Sequence, residues 1–134
     1  MIATVDALHR FPIKGLSAEP LVEMTLSRDT GLAHDREYAI ALGTTVFDPA
    51  HPEPLDKGFF LMLRNNTALA ALTTQLDPAT KILRIRRNRE PVFQANLSTD
   101  SGREETEGFF ADYLGEETRG RPRLVWAKDH KFTD

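Results

Sequence analysis

The sequence predicts a mainly β fold: a small closed or partly closed barrel with one helix near its C-terminal end. Three observations carry this expectation. Short stretches rich in β-branched and apolar residues recur along the chain and are separated by turn signals. A single late stretch combines helical spacing with both a start and a stop signal. The 134 residues, 40% of them apolar, suit one domain with its own core, taken to span residues 1–134.

In chain order, residues 2–8, 21–26, 37–42 and 44–47 read as strands, divided by turns at Lys14-Gly15, Asp29-Thr30-Gly31 and Gly43. Pro49, Pro52 and Pro54 then crowd one short stretch. Proline lacks the N–H that a central strand needs, so residues 48–58 read as a surface loop. Residues 59–63 resume as a buried strand. Residues 66–77 are ambiguous: Leu69, Leu72 and Leu76 have helical spacing, whereas Thr73 and Thr74 suit a strand. Asp77-Pro78 marks a turn, and residues 81–87 read as a further strand. Ser101-Gly102-Arg103-Glu104 predicts a capping box, with Phe109/Tyr113 and Phe110/Leu114 spaced as helical pairs and Gly115 as the stop. Residues 123–127 form the last expected strand. There is no internal repeat and no low-complexity tract.

Composition excludes several chemistries. The chain has no cysteine, so disulfides, thiolate metal sites and cysteine nucleophiles are out. A net charge of −3 argues against nucleic acid or an anionic membrane as the default partner. No apolar run exceeds the length of Phe59 to Leu63, which is far too short to span a bilayer. Residues 1–6 carry neither a basic region nor an apolar run of the secretory type, so a cytoplasmic chain is expected.

His9, His34, His51 and His130 share no ligand spacing, which favours ordinary loop histidines over a zinc site. Asp29, His34 and Asp35 form an acid–base grouping without a nucleophile, because Ser17 and Ser27 lack the strained elbow of a G-x-S-x-G motif. Residues 81–89 carry five positive charges. In strand geometry Arg84 and Arg86 share one face, with Leu83 and Ile85 on the other. Single-stranded nucleic acid wants aromatics interleaved with such charges, and none precedes Phe93, so a solvated outer face is favoured.

Two stretches stand apart: Arg10-Phe11-Pro12-Ile13-Lys14-Gly15 and Gly31-Leu32-Ala33-His34-Asp35-Arg36-Glu37-Tyr38. Pro12 stiffens the approach to a turn carrying Lys14, and Gly31 can take positive φ before a strand that starts near Arg36. A lysine and an arginine at strand ends suit an anion, the arginine as a planar fork and the lysine as a point charge. Pairing of Arg36 with a nearby carboxylate explains that residue equally well.

In this order, the two stretches resemble the N-terminal β-barrel domain of MOSC (molybdenum cofactor sulfurase C-terminal) proteins. Phe11-Pro12-Ile13-Lys14-Gly15 is similar to that family's Y-P-[VI]-K-[SG] signature. Gly31-Leu32, Asp35-Arg36 and Tyr38 are similar to its G-L-x-x-D-R-x-[WY] signature. Leu63-Arg64 matches a strand that usually reads T-Q-R, though here the T-Q is absent. The stretch from Leu69 to Leu72 follows it, which favours a turn and then a strand in the ambiguous region. Tyr113-Leu114-Gly115 and Arg123-Leu124-Val125-Trp126 resemble the stretch just before the MOSC domain proper.

In members of the amidoxime-reducing type, the resemblance implies that Lys14, Gly15 and Arg36 help hold the anionic group of the molybdopterin cofactor. Gly15 replaces the more usual serine, leaving only backbone contact there. The family's molybdenum is bound by a cysteine of the MOSC domain, and a centre of that kind needs sulfur ligation that this chain lacks. The expectation is therefore a barrel domain of a molybdenum-cofactor oxidoreductase, partnered by a MOSC domain in cis or in trans and not catalytic alone. Two alternatives stand beside it: a non-catalytic barrel that binds a protein partner, and a single-stranded nucleic-acid-binding barrel using Arg84, Arg86 and Arg87.

Overall fold

The computed structural model describes residues 2–29 and 31–133. Met1, Asp134 and Thr30 of the expected 29–31 turn lie outside the described residues. The chain is mainly β with one late helix, as the sequence predicts.

Strand β1 (Leu8–Arg10) pairs antiparallel with β2 (Glu19–Leu21), and an Arg10–Glu19 ion pair of 3.2 Å closes its end. The two-residue strands β3 (Leu26–Ser27) and β4 (Gly31–Leu32) pair with each other. Pairing thus begins and ends elsewhere than in the expected 2–8 and 21–26 strands. Strand β5 (Ala39–Ala41) lies within the expected 37–42 segment and is wholly buried. The expected strand at 44–47 is instead a turn. The Thr45 amide donates to the Leu42 carbonyl at 2.9 Å, and the Gly43 amide reaches across to the Thr118 carbonyl at 2.8 Å.

The expected 59–63 strand is reduced to one bridge between Phe60 and Ala41, preceded by a 3-10 turn at Lys57–Phe59. Past Leu61 the chain bends away, because the Asn66 carboxamide accepts the Met62 amide at 3.1 Å. The ambiguous region resolves as a 3-10 turn, Thr67–Ala71, followed by β6 (Leu72–Leu76). Leu72, Thr74 and Leu76 point inward and Thr73 and Gln75 outward, the period-2 alternation that overrides the helical spacing.

Strand β7 (Ile82–Arg87) and β8 (Glu90–Asn96) extend β6 into an antiparallel meander. Asn88 and Arg89 join them with both central residues at positive φ, the turn that matches strand twist. Residues 90–96 have no assignment from the sequence; Pro91 is tolerated in β8 because it sits beside an irregularity in the register at Ile85/Arg86.

Helix α1 (Asp100–Leu114) closes the meander. The expected capping box is displaced. Thr99, not Ser101, is the N-cap: its backbone is extended and its hydroxyl accepts the Gly102 amide at 3.0 Å, while Ser101 already lies inside the helix. Gly115 ends the helix at φ 59, as predicted. Phe93 stacks on Phe109 at 4.9 Å and Phe110 is fully buried, fixing the helix to the sheet.

Strand β9 (Arg123–Val125) then returns to pair with β5, Ile40 facing Leu124. This ladder divides the interior. Ile40 and Leu124 face a large aliphatic core with Ile13, Leu61, Leu83, Ile85 and Phe110. Ala39, Ala41 and Val125 face a smaller one built on Phe47, Phe60 and Phe132. No helix among the described residues is long and apolar enough to cross a membrane.

Candidate functional site

The two motif stretches are far apart in sequence but lie side by side. Ile13 and Tyr38 form a parallel bridge, in which the Lys14 amide donates to the Tyr38 carbonyl at 2.8 Å and the Tyr38 amide to the Pro12 carbonyl at 3.4 Å. The Arg36 amide donates to the Phe11 carbonyl. Asp35 is buried and locks the pair: its Oδ1 accepts the Phe11 amide at 2.8 Å, and its Oδ2 accepts Arg36 Nε at 3.0 Å. Asp35 is thus a structural carboxylate rather than half of an acid–base pair with His34.

Arg36 does not begin a strand. It sits in a turn at φ 50, with His34 at φ 61, and pairing resumes at the Tyr38 bridge and then in β5. The left-handed region costs a residue with a side chain about 1–2 kcal/mol, and such strain persists where the surroundings over-determine it. The Arg36 guanidinium is engaged by Asp35 yet 37% exposed at the side chain.

Lys14 is 4% exposed. Its Nζ donates to the Phe132 carbonyl at 3.4 Å, and the Phe132 amide donates to the Arg36 carbonyl at 2.9 Å. One residue of the C-terminal segment, Phe132, therefore touches both expected anion-binding residues through its backbone. A cavity of about 60 Å³ beside Lys14 is walled by Phe60, His130 and the Pro54-Leu55 end of the proline-rich loop. That loop had no role legible in the sequence; here it covers Lys14.

Gly15, at φ 82, is required sterically. A Cβ there would stand 2.3 Å from the Leu61 carbonyl oxygen and 2.9 Å from Met62 Cα. The departure from serine is dictated by the backbone that crosses this turn. Arg64 is exposed on the far side of the bend after Leu61 and forms no ion pair among the described residues.

A wider cleft of about 760 Å³ opens on the other flank of the second motif, between it, the start of α1 and the C-terminal segment. Glu37 binds Lys81 at 3.1 Å and His34 at 3.0 Å there. Burial pushes the Glu37 carboxyl up, but the hydrogen bonds and charges of Lys81 and His34 outweigh it and hold the group below its usual range. Tyr38 lines the same cleft. Burial and the Glu37 charge push its phenol up, against a smaller opposite effect of Arg103.

Sequence reasoning missed Lys81, Arg103, Trp126 and His130 as neighbours in one cleft. The one available signal was Trp126, the sole tryptophan, placed just where the last strand ends.

The basic run divides its charges. Arg84 and Arg86 face outward from β7, opposite Gln75 and Thr73 of β6 and Gln94 of β8. Phe93 lies opposite Ile85 and is spent on the helix, while Arg87 sits over the Tyr113 ring at 5.8 Å. Among the described residues no aromatic is interleaved with Arg84 and Arg86 on that face.

The model of one protein family, described as the MOSC N-terminal beta barrel domain, matches residues 2–117. The match takes in both motif stretches and α1, and stops short of β9 and the segment that touches Lys14. No curated protein and no solved structure matches the chain.

Proposed function

The chain belongs to the MOSC N-terminal β-barrel domain family, and from that premise we propose that it supplies contacts to the phosphate of a molybdenum cofactor through Lys14 and Arg36. The Gly15 turn contributes backbone only. The supporting observation is that both residues meet the backbone of Phe132: its carbonyl oxygen already occupies an acceptor position at Lys14 Nζ, and its amide donates to the Arg36 carbonyl. The donor set fits a phosphate, with a buried ammonium as point charge and a guanidinium pre-oriented by Asp35.

When bound, the cofactor supplies two-electron redox chemistry at its metal. This chain's residues would bind and orient its anionic end, and a MOSC domain, in cis or in trans, would supply the thiolate. Substrate-side shape is the second contribution of the barrel. The domain alone turns nothing over. In a protein that joins it to a MOSC domain, Lys14→Ala and Arg36→Ala should each lower bound molybdopterin, measured as the fluorescence of the released, oxidised pterin. Unchanged occupancy in both variants rejects the assignment. For the arrangement in trans, a gel-filtration shift on adding a separate MOSC subunit is expected.

A further inference from the structure

We propose that residues 130–133 form a strap that swings about the turn at Lys128 and Asp129 and must open before Lys14 can take a phosphate. The inference rests on the reading of Lys14 as an anion-binding residue and adds the movement that gives an anion access to it.

Access is the physical problem. Lys14 is buried, and the cavity of about 60 Å³ beside it is far below the roughly 300–1,000 Å³ of small-molecule pockets. A phosphate ester must also pass its remainder out to solvent, so one wall of that cavity has to move. Phe60 is tied to Ala41 by a β-bridge. The other walls are the Pro54-Leu55 end of the proline-rich loop and the strap itself.

The loop is the stiffer of the two. Pro49, Pro52 and Pro54 fix φ along it, and turns closed by the Asp48 and Asp56 carboxylates hold its ends. The strap begins at a hinge. Lys128 and Asp129 are exposed, Asp129 stands at φ 59, and the His130 amide closes the turn on the Ala127 carbonyl at 3.2 Å. Left-handed backbone is strained for a residue with a side chain, so opening has a lower-energy basin to move into. A few such loop residues suffice to absorb the change in φ and ψ of a hinge.

Beyond the hinge the strap is fastened at both motif stretches. Lys131 Nζ donates to the Leu32 carbonyl, the Phe132 amide donates to the Arg36 carbonyl at 2.9 Å, and the Phe132 carbonyl accepts Lys14 Nζ at 3.4 Å. The Phe132 ring is the apolar anchor, 5.3 Å from the Phe47 ring and 5.6 Å from that of Phe60. The bond to Lys14 is the longest of the three and lies at the weak end of hydrogen-bonding distance. It is also the one an anion competes for, and a phosphate brings full negative charge to the ammonium where the carbonyl brings a dipole.

An anion that binds only the open strap has its affinity reduced by the fraction of molecules that are open. Loosening the strap without touching Lys14 or any charge therefore tightens binding. A strap that merely buttresses a finished site gives the reverse.

The test is a titration of the full chain with inorganic pyrophosphate, followed by calorimetry and by amide hydrogen exchange. With saturating pyrophosphate the Phe132 amide, released from the Arg36 carbonyl, should exchange roughly threefold faster or more, while the amides of β7 do not accelerate. Phe132→Leu shortens the ring anchor at constant charge and should bind pyrophosphate about threefold more tightly although its Tm falls. Lys14→Ala should abolish binding in either background. Binding that needs Lys14 but leaves Phe132 exchange unchanged or slower, or that is no tighter in a folded Phe132→Leu, overturns the strap and leaves the phosphate assignment standing. Absence of saturation at low millimolar pyrophosphate in both parent and Phe132→Leu, or binding indifferent to Lys14→Ala, removes the anion site on which both readings rest. Should Phe132→Leu lose its thermal transition, the direction of the Phe132 exchange in the parent chain decides alone.

Discussion

In the β6–β7–β8 meander, alternate side chains enter one aliphatic core and every strand is bonded along its length to a neighbour. Around Lys14 and Arg36 the chain is held differently. A bridge of a few backbone bonds, one buried aspartate and the backbone of one C-terminal residue, Phe132, set the geometry, and His34 and Arg36 are strained. The meander's stability is spread over many similar contacts. The motif pair depends on a handful of unlike ones, so damage there should be local and specific, whereas damage to the meander should be global.

The largest effect should come from the meander. Phe110→Ala empties a fully buried site shared by the helix and the sheet, and about 3–5 kcal/mol of stability should go, read from urea unfolding. Every spectroscopic probe should report the same transition; a variant in which only helix signal is lost would break the distinction drawn above.

Gly15→Ala comes next. Positive φ together with a Cβ only 2.3 Å from a carbonyl should cost about 2 kcal/mol or more. The added amide exchange should concentrate in residues 11–15 and 35–38. Uniform acceleration through β7 would mean that the motif pair and the meander are one cooperative unit.

Thr99→Ala should cost about 1 kcal/mol, whereas Ser101→Ala should stay near zero, because only Thr99 accepts the Gly102 amide. Reversed magnitudes, measured by thermal unfolding of both variants, would restore the capping box and displace the observed cap.

The smallest effect concerns Glu37, whose carboxyl is lowered in the folded state. Its contribution is fully present above the unfolded value near 4.5 and is lost as pH falls through the lower folded value. In Glu37→Gln the acid limb of the stability profile should flatten slightly over that window. A profile that superposes on the parent's excludes the Lys81–Glu37–His34 cluster as a source of acid sensitivity.

The same contrast explains what was legible in the sequence. Leu83, Ile85 and the Arg84/Arg86 face were readable because a strand's alternation repeats. The start of the helix was misplaced by two residues because Ser101 and Glu104 imitate a cap, and only the extended backbone at Thr99 decides between them. Strand β8 drew no expectation from the sequence: it carries Pro91, which only the register irregularity accommodates. Lys14 and Arg36 were singled out by charge and by resemblance, but periodicity could not say that their stretches pair in parallel. Nothing local to Phe132 announces that its backbone reaches both. Tyr38 was legible as a motif residue, yet its place in one cleft with Trp126 and Arg103 is a fact of three dimensions.

The β5–β9 ladder, which parts the two cores, also sets an order of events. Its strands are separated by residues 42–122, so closing it fixes the ends of a long loop before the pairing returns any energy. The meander and its helix need only neighbouring segments, and contacts so local in sequence form early at small entropic cost. The smaller aromatic core, with Phe132 inside it and Lys14 beneath, can exist only once that late ladder has closed. Residence of an anion at Lys14 should therefore lengthen the lifetime of the folded chain more than it speeds its formation.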